Sequence, residues 1–155
     1  MDILYYDVNR REDLEKKLKM THVGMDELLT QSDFVSIHVD LNPTTQHMFS
    51  TEQFKQMKNS SVIINAARGP VIDHMALYEA LKNKEIAGAG LDVTDPEPIP
   101  NDHPLLTLDN CLIVPHIASA TIETRRAMSN LAAANLINGL KGTSLSTCVN
   151  PEVDN

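Results

Sequence analysis

Positive charge is scarce in this chain of 155 residues. Its 13 lysines and arginines stand against 21 aspartates and glutamates, which gives a formal net charge of -8. An acidic chain of this kind has no electrostatic footprint for nucleic acid or for an anionic membrane surface. Long hydrophobic runs are also absent, and neither a membrane-spanning segment nor a secretory leader can be recognised. We therefore expect a soluble, cytoplasmic protein without nucleic-acid or membrane partners.

Cysteine is scarce as well. Cys111 and Cys148 are the only two, and they lack the spacing of metal ligands. Cys111 opens an apolar run, which favours a buried thiol, and a disulfide to Cys148 is the less favoured alternative. The sequence therefore predicts no metal site and a reducing compartment.

Glycine is present, but not in the phosphate-binding pattern G-x-G-x-x-G that opens a dinucleotide-binding domain. The six glycines are Gly24, Gly69, Gly88, Gly90, Gly139 and Gly142. Asp7 nevertheless follows the apolar run Ile3-Leu4-Tyr5-Tyr6, where such a domain places its ribose-binding acid. The economical interpretation is that the chain begins one βα unit late and that Met1 is an internal methionine of a longer protein. The two strands beside the absent central one would then each expose an unpaired edge.

Short apolar runs alternate with helical patterns along the chain. Such runs predict buried parallel strands, here residues 3–6, 33–39, 61–66, 86–92 and 111–115. Helices are predicted over residues 11–20 and 25–31, after a capping box at Ser50, after the cap Asp73, and from Thr121 to a stop at Gly142. The alternation predicts an α/β fold, a doubly wound parallel sheet (Rossmann-like) lacking its first βα unit. We assign residues 1–142 to a partial dinucleotide-binding domain and residues 143–155 to a C-terminal tail.

Side chains with chemical potential follow three successive predicted strands. Arg68 follows the third strand, Asp92 and Glu97 follow the fourth, and His116 follows the fifth. Because ligands bind outside the carboxyl ends of parallel strands, these groups should meet at one rim. A guanidinium, two carboxylates and an imidazole suit a small substrate that bears a carboxylate and needs a proton donor.

Each of these residues also has an ordinary explanation when it is taken alone. An Arg-Gly pair after a strand is commonly a solvated turn, a Pro-rich acidic segment can be a rigid loop, and an aspartate after a strand can cap a helix. The occurrence of these residues at successive strand ends nevertheless favours a functional site over the ordinary explanations. The other histidines lack such a setting and are interpreted as structural or surface residues: His22, His38, His47, His74 and His103.

Four stretches, residues 65–69, 89–98, 103–106 and 115–121, together resemble the D-isomer-specific 2-hydroxyacid dehydrogenases. The resemblance is closest to the branch that reduces glyoxylate and hydroxypyruvate. Two departures stand out, because the Gly-rich loop and the N-terminal substrate-binding domain of the family are absent from this sequence. The tail from residue 143 would return toward that domain.

The resemblance implies an oxidoreductase that transfers a hydride between NAD(P)H and a small 2-oxoacid. In that mechanism His116 gives a proton to the carbonyl oxygen, and Glu97 holds the imidazole and favours its protonated form. Arg68 binds the carboxylate of the oxoacid in a bidentate manner. Asp92 would hold the carboxamide of the nicotinamide.

The cofactor is expected to be NAD, because the carboxylate of Asp7 pairs with ribose hydroxyls and repels a 2′-phosphate. Arg10 and Arg11 follow at once and offer a site for that phosphate, so NADP remains an alternative. By resemblance, further cofactor contacts come from Asp40, Ala66, Arg68, Asp92, His116 and Ala118.

Three further expectations follow from the resemblance. The family usually forms homodimers, and the Ala-rich helix from Thr121 to Leu140 is a candidate surface, although it could equally pack within one chain. The first alternative function is a dinucleotide-sensing binding protein like the corepressors that resemble this family. The second is an inactive fragment of the enzyme.

Overall fold

The computed structural model describes residues 1–154. Its six strands pair in parallel, and each is followed along the chain by an α-helix or a short 3-10 helix. The chain divides into two units, Met1–His116 and the segment from Ile117 onward. In the first unit β1 (Ile3–Tyr5) pairs with β2 (Met20–His22). A separate sheet has the order β3 (Phe34–Ile37), β4 (Val62–Asn65), β5 (Gly88–Leu91) and β6 (Cys111–Ile113). The predicted parallel α/β architecture is confirmed.

One strand is missing from the sequence prediction. The predicted helix over residues 11–20 is α1, Glu12–Leu18, and it ends because Lys19 adopts a left-handed conformation with φ 53°. Met20 therefore belongs to β2, whose three residues are too few for a periodic pattern.

The two sheets have unpaired edges at the strands where the sequence predicts them. Among the described residues β1 pairs with β2 alone and β3 with β4 alone. Each of these two strands therefore has one edge without a strand neighbour, which is the arrangement predicted for a doubly wound sheet without its first βα unit.

Three helices cover one face of the larger sheet: α2 (Met25–Gln31), α3 (Thr51–Gln56) and α4 (His74–Lys82). The predicted capping box is present, since the Gln53 side chain accepts the N–H of Ser50 at 3.1 Å. Phe54, Leu77 and Leu81 are buried in the core.

The strands β3, β4 and β5 are buried on one face only, which corrects the prediction of fully buried runs. Val35, Ile63 and Leu91 point into the core, whereas Phe34 and Leu112 are each 68% exposed. The side chains alternate across the larger sheet, and α2, α3 and α4 cover a single face of it. Cys111 is a free thiol that is half-buried rather than fully buried as predicted, and burial raises its pKa to about 11.

The second unit contains α5, Ile122–Leu140, which begins at the predicted cap. The Thr121 hydroxyl accepts the N–H of Thr124 at 3.1 Å. None of its 19 residues is buried, and Leu136 and Leu140 are 65% and 81% exposed. No helix in the described part of the chain is long and apolar enough to span a bilayer.

Asp73 provides a test of this fold. Its Oδ1 accepts the N–H groups of Met75 and Ala76 at 3.1 and 3.0 Å, and the hydrogen bond from Ala76 is the main reason its pKa lies below the usual value. A lowered pKa means that the charged cap stabilises the fold above about pH 4 and that this contribution is lost as the pH falls through the folded-state pKa. We expect Asp73→Ala to lower the free energy of unfolding by about 1 kcal/mol at pH 7, and Asp73→Asn to lower it less. Urea denaturation followed by circular dichroism measures both. Equal stability of Asp73→Ala and the parent chain at pH 7 would show that the cap contributes nothing.

Candidate active site

The three strand ends deliver the predicted side chains to one rim. Arg68 lies three residues beyond β4, Asp92 directly beyond β5, and His116 three residues beyond β6. The ladder continues past the strands, because the N–H of Asp92 donates to the Asn65 carbonyl at 2.9 Å and the N–H of His116 donates to the Asp92 carbonyl at 3.0 Å. The backbone of Asp92, a residue only 8% exposed, therefore links the ends of all three strands.

His116 and Glu97 form a close pair at this rim. Nδ1 of His116 lies 2.7 Å from Oε1 of Glu97, and the two side chains are 49% and 43% exposed. Because an ionised carboxylate only accepts, Nδ1 carries the hydrogen in this contact. Nε2 is then the nitrogen that can exchange a proton with a substrate.

The backbone of His116 is in the left-handed region, with φ 53°. Residues other than glycine adopt this conformation infrequently, and it concentrates at functional sites. The second acceptor for its N–H is the Val114 carbonyl, at 3.0 Å. The chain therefore turns sharply after β6.

Asn65 organises the turn that carries Arg68. It is fully buried, its Oδ1 accepts the N–H of Ala67 at 3.0 Å, and its Nδ2 donates to the Arg68 carbonyl at 3.0 Å. The guanidinium itself is exposed and donates to the Ala67 carbonyl at 2.7 Å. Sequence reasoning assigned no role to Asn65, although an amide at the end of an apolar run was a usable signal.

Gly69 lets the loops after β4 and β5 touch. A Cβ added at Gly69 would lie 2.0 Å from the Thr94 carbonyl oxygen and 2.8 Å from the Asp95 nitrogen. No side chain fits there, so the backbone on which Arg68 sits is packed directly against the loop that leads to Glu97.

His74 holds the same loop from another element, and sequence reasoning assigned it only a structural or surface place. It is the first residue of α4 and is 6% exposed. Its Nδ1 lies 3.2 Å from the N–H and 3.0 Å from the carbonyl oxygen of Asp95. Its position next to the cap Asp73 was the available signal.

Asp40, Ala66 and Arg68 line a common cleft of about 430 Å³ at the ends of β3 and β4. Three predicted cofactor contacts thus lie together in a cavity of the size that small-molecule sites have. A second cavity, about 530 Å³, lies at the opposite ends of the strands beside Asn59 and Asn110. The amides of those two residues hold backbone carbonyls, and none of the predicted site residues reaches that cavity.

The predicted ribose-binding region lies beyond β1. The Asp7 carboxylate is exposed and accepts the N–H of Asn9 at 2.8 Å. Arg10 makes a two-point contact with Glu15, at 2.8 and 3.0 Å, and this contact lowers the pKa of Glu15 to about 2. Arg11 pairs in the same way with Asp13. Both guanidinium groups are therefore already engaged with carboxylates.

Ala118, the last predicted contact, lies in the second unit, in the turn that precedes α5. It is exposed.

Sequence comparison relates this chain to known proteins along nearly its whole length. Residues 1–118 match the model of the D-isomer specific 2-hydroxyacid dehydrogenase NAD binding domain. The chain is 51% identical over 153 residues to a glyoxylate reductase of Korarchaeum cryptofilum and 47% identical over 153 residues to glyoxylate/hydroxypyruvate reductase B of Yersinia pestis. These alignments cover 99% of this chain and 46% and 47% of the relatives, so the chain spans about half their length.

A solved structure shows the same fold. The D-lactate dehydrogenase of Lactobacillus jensenii, determined with NAD+, superposes with a TM-score of 0.88 at 33% identity, over 96% of this chain and 48% of that one. The family match covers the sheet and all three strand ends described above. The chain belongs to the D-isomer-specific 2-hydroxyacid dehydrogenase family and carries its NAD-binding domain.

Proposed function

We propose that this chain is the catalytic and cofactor-binding half of an NADH-dependent reductase of small 2-oxoacids such as glyoxylate and hydroxypyruvate. The observation that carries the proposal is the His116–Glu97 pair, 2.7 Å apart, on the same rim as an exposed Arg68. A proton donor and a carboxylate receptor on one rim are what carbonyl reduction of an oxoacid requires.

In the proposed mechanism Arg68 binds the substrate carboxylate with its planar fork, which orients the neighbouring carbonyl. His116 gives the proton on Nε2 to the carbonyl oxygen, and Glu97 holds Nδ1 and stabilises the positive charge of the ring before transfer. NADH, when bound, supplies the hydride that the carbonyl carbon accepts. The balance is one 2-oxoacid, one NADH and one proton giving one D-2-hydroxyacid and one NAD+.

The residues present fit part of such a cofactor. Asp40, Ala66 and Arg68 line a cleft at the strand ends, where dinucleotides bind in this class of fold. We propose that Asp92 holds the carboxamide, that His116 and Ala118 lie beside the nicotinamide, and that Asp7 binds the ribose hydroxyls. The sequence has no G-x-G-x-x-G loop for the pyrophosphate.

We infer that NADH is preferred to NADPH. The exposed Asp7 carboxylate repels a 2′-phosphate, and Arg10 and Arg11, the cations that would attract one, are paired with Glu15 and Asp13. We therefore assign Arg10 a supporting place near the ribose rather than a phosphate contact.

The remaining assignments are also proposals. We assign residues 1–142 to the partial dinucleotide-binding domain and residues 143–155 to the tail, and we place the protein in the cytoplasm, which suits the Cys111 thiol. A homodimer is supported by α5, which exposes Met128, Leu131 and Leu136 and buries none of its residues.

Activity tests the proposal. In an extended protein, the residues that precede the matched region in the Korarchaeum cryptofilum relative are joined in front of Met1. We expect it to oxidise NADH with glyoxylate, and we expect His116→Asn to lower kcat/KM by at least about 100-fold, because the proton donor is lost. His47→Asn is the matched control, since His47 has a similar φ of 50° that asparagine also tolerates. An extended protein that binds NADH without turning over either oxoacid would favour the dinucleotide-sensing binding protein instead.

Cofactor preference is a second test. We expect the extended protein to favour NADH over NADPH by about 10-fold or more in kcat/KM, since a hydrogen bond from a ribose hydroxyl to a charged carboxylate is worth about 1.5–3 kcal/mol. Asp7→Ser and Glu15→Gln remove the repulsive carboxylate and release Arg10, so together they should raise kcat/KM for NADPH. Asp33→Asn, which alters a surface ion pair with Lys58, is the control. A parent protein that prefers NADPH would refute the assignment.

The close approach at Gly69 gives a third test. Gly69→Ala must push the Thr94–Asp95 backbone away, and displacement of a catalytic loop by about 1 Å can cost about 100-fold in rate. We expect kcat/KM to fall by about that factor while circular dichroism shows a folded protein. Gly24→Ala, where an added Cβ meets nothing within 4 Å, should leave the rate unchanged. A fully active Gly69→Ala protein would show that the loop contact is dispensable.

A further inference from the structure

His74 is set apart from the other histidines of the chain by its burial. It is 6% exposed, whereas the other five are half-buried or exposed. Burial lowers the pKa of His74, so the ring is neutral at neutral pH. The neutral ring bonds the backbone of Asp95 through Nδ1 in one of two ways: Nδ1 accepts the N–H, 3.2 Å away, or Nδ1–H donates to the carbonyl oxygen, 3.0 Å away.

Among the described residues the ring has no hydrogen bond to any residue other than Asp95. Nε2 is buried without a partner, and the neighbouring ring of His103 is at a centroid distance of 6.0 Å in an edge-on contact. A buried polar atom without a partner costs free energy that an apolar side chain would avoid. The helix cap is already supplied by Asp73. Among the described residues, the backbone of Asp95 is therefore the one hydrogen-bond partner that this imidazole gains.

Asp95 lies two residues before Glu97 on the loop after β5. The Thr94–Asp95 peptide is packed against Gly69 on one side and hydrogen-bonded by His74. The loop folds back on itself through the Thr94 hydroxyl, which donates to the Pro96 carbonyl at 2.9 Å. Glu97 then reaches His116 at 2.7 Å. A continuous chain of contacts thus runs from α4 to the proposed proton donor.

We propose that His74 is a positioning residue, which holds the backbone of Asp95 and thereby places the Glu97 carboxylate against His116. The inference deepens the proposed function and rests on it for its kinetic consequences. His74 touches neither substrate nor cofactor in this role, and its effect on the reaction passes through Glu97.

Kinetics of the extended protein test the link. We expect His74→Leu to lower kcat for glyoxylate by about 10-fold, because a misplaced Glu97 no longer orients the imidazole. KM should change less than about 2-fold, because Arg68 is held separately by Asn65. His74→Gln offers a donor and an acceptor at a similar reach and should recover most of kcat. Met75→Leu, an exposed change on the same helix, is the control.

A double-variant cycle separates positioning from a general loss of stability. If His74 acts through Glu97, His74→Leu should have no further effect on kcat in a Glu97→Gln background. Additive losses in the double variant, or a failure of His74→Gln to exceed His74→Leu, would overturn the proposal.

A spectroscopic measurement keeps the inference independent of turnover. In ¹⁵N-labelled protein the Nδ1–H of His116 that is bonded to Glu97 should give a downfield proton resonance, assigned by its loss in Glu97→Gln. We expect His74→Leu to lose this resonance, and His74→Gln and Met75→Leu to keep it. An inactive parent protein with this pattern would refute the proposed reductase and leave the positioning role standing. An unchanged resonance in His74→Leu would refute the positioning role whatever the activity.

Discussion

The rim depends on one steric constraint, the contact of the Gly69 backbone with the Thr94–Asp95 peptide. With an added Cβ only 2.0 Å from the Thr94 carbonyl oxygen, the two loops can meet in this way only without a side chain. That contact couples the turn bearing Arg68 to the loop bearing Glu97. It brings two residues far apart in the sequence into one arrangement, because each loop limits how closely the other can approach.

Backbone hydrogen bonds complete what the steric contact begins. The hydrogen-bond ladder continues past the strands, from the Asn65 carbonyl at the end of β4 to Asp92 and from Asp92 to His116. The loops after β4, β5 and β6 are therefore fixed to one another where they leave the sheet. Loops held by sheet backbone and buried amides lose little freedom when a substrate binds, which favours the reaction geometry. The left-handed turn at His116 then directs the imidazole toward Glu97, and the strain of that turn is balanced by its two backbone acceptors.

Much of the fold and of the rim could be predicted from the sequence. The features that could not be predicted share one physical cause. The carboxyl ends of β4, β5 and β6 and the cap Asp73 could be predicted, because short apolar runs and helix caps are local signals. The strand β2, the exposed face with Phe34 and Leu112, and the contacts of Asn65 and His74 were not. Each depends on what another part of the chain places beside it, and no local pattern encodes that.

The His116–Glu97 pair is half exposed, so in the proposed reductase this chain contributes the geometry of the pair more than its energy. At 49% and 43% exposure the two side chains lie in a strongly screening medium, where a charge pair contributes little energy however good its geometry. The chain therefore supplies the positions of the reacting groups, but water still surrounds them. In the proposed reductase, substrate, cofactor and a second domain would cover the rim and lower the local dielectric. The His116–Glu97 contact would then become stronger with unchanged geometry. Positioning by His74 and Gly69 matters for that reason. A lower dielectric strengthens the His116–Glu97 contact only if the two side chains are already at hydrogen-bonding distance.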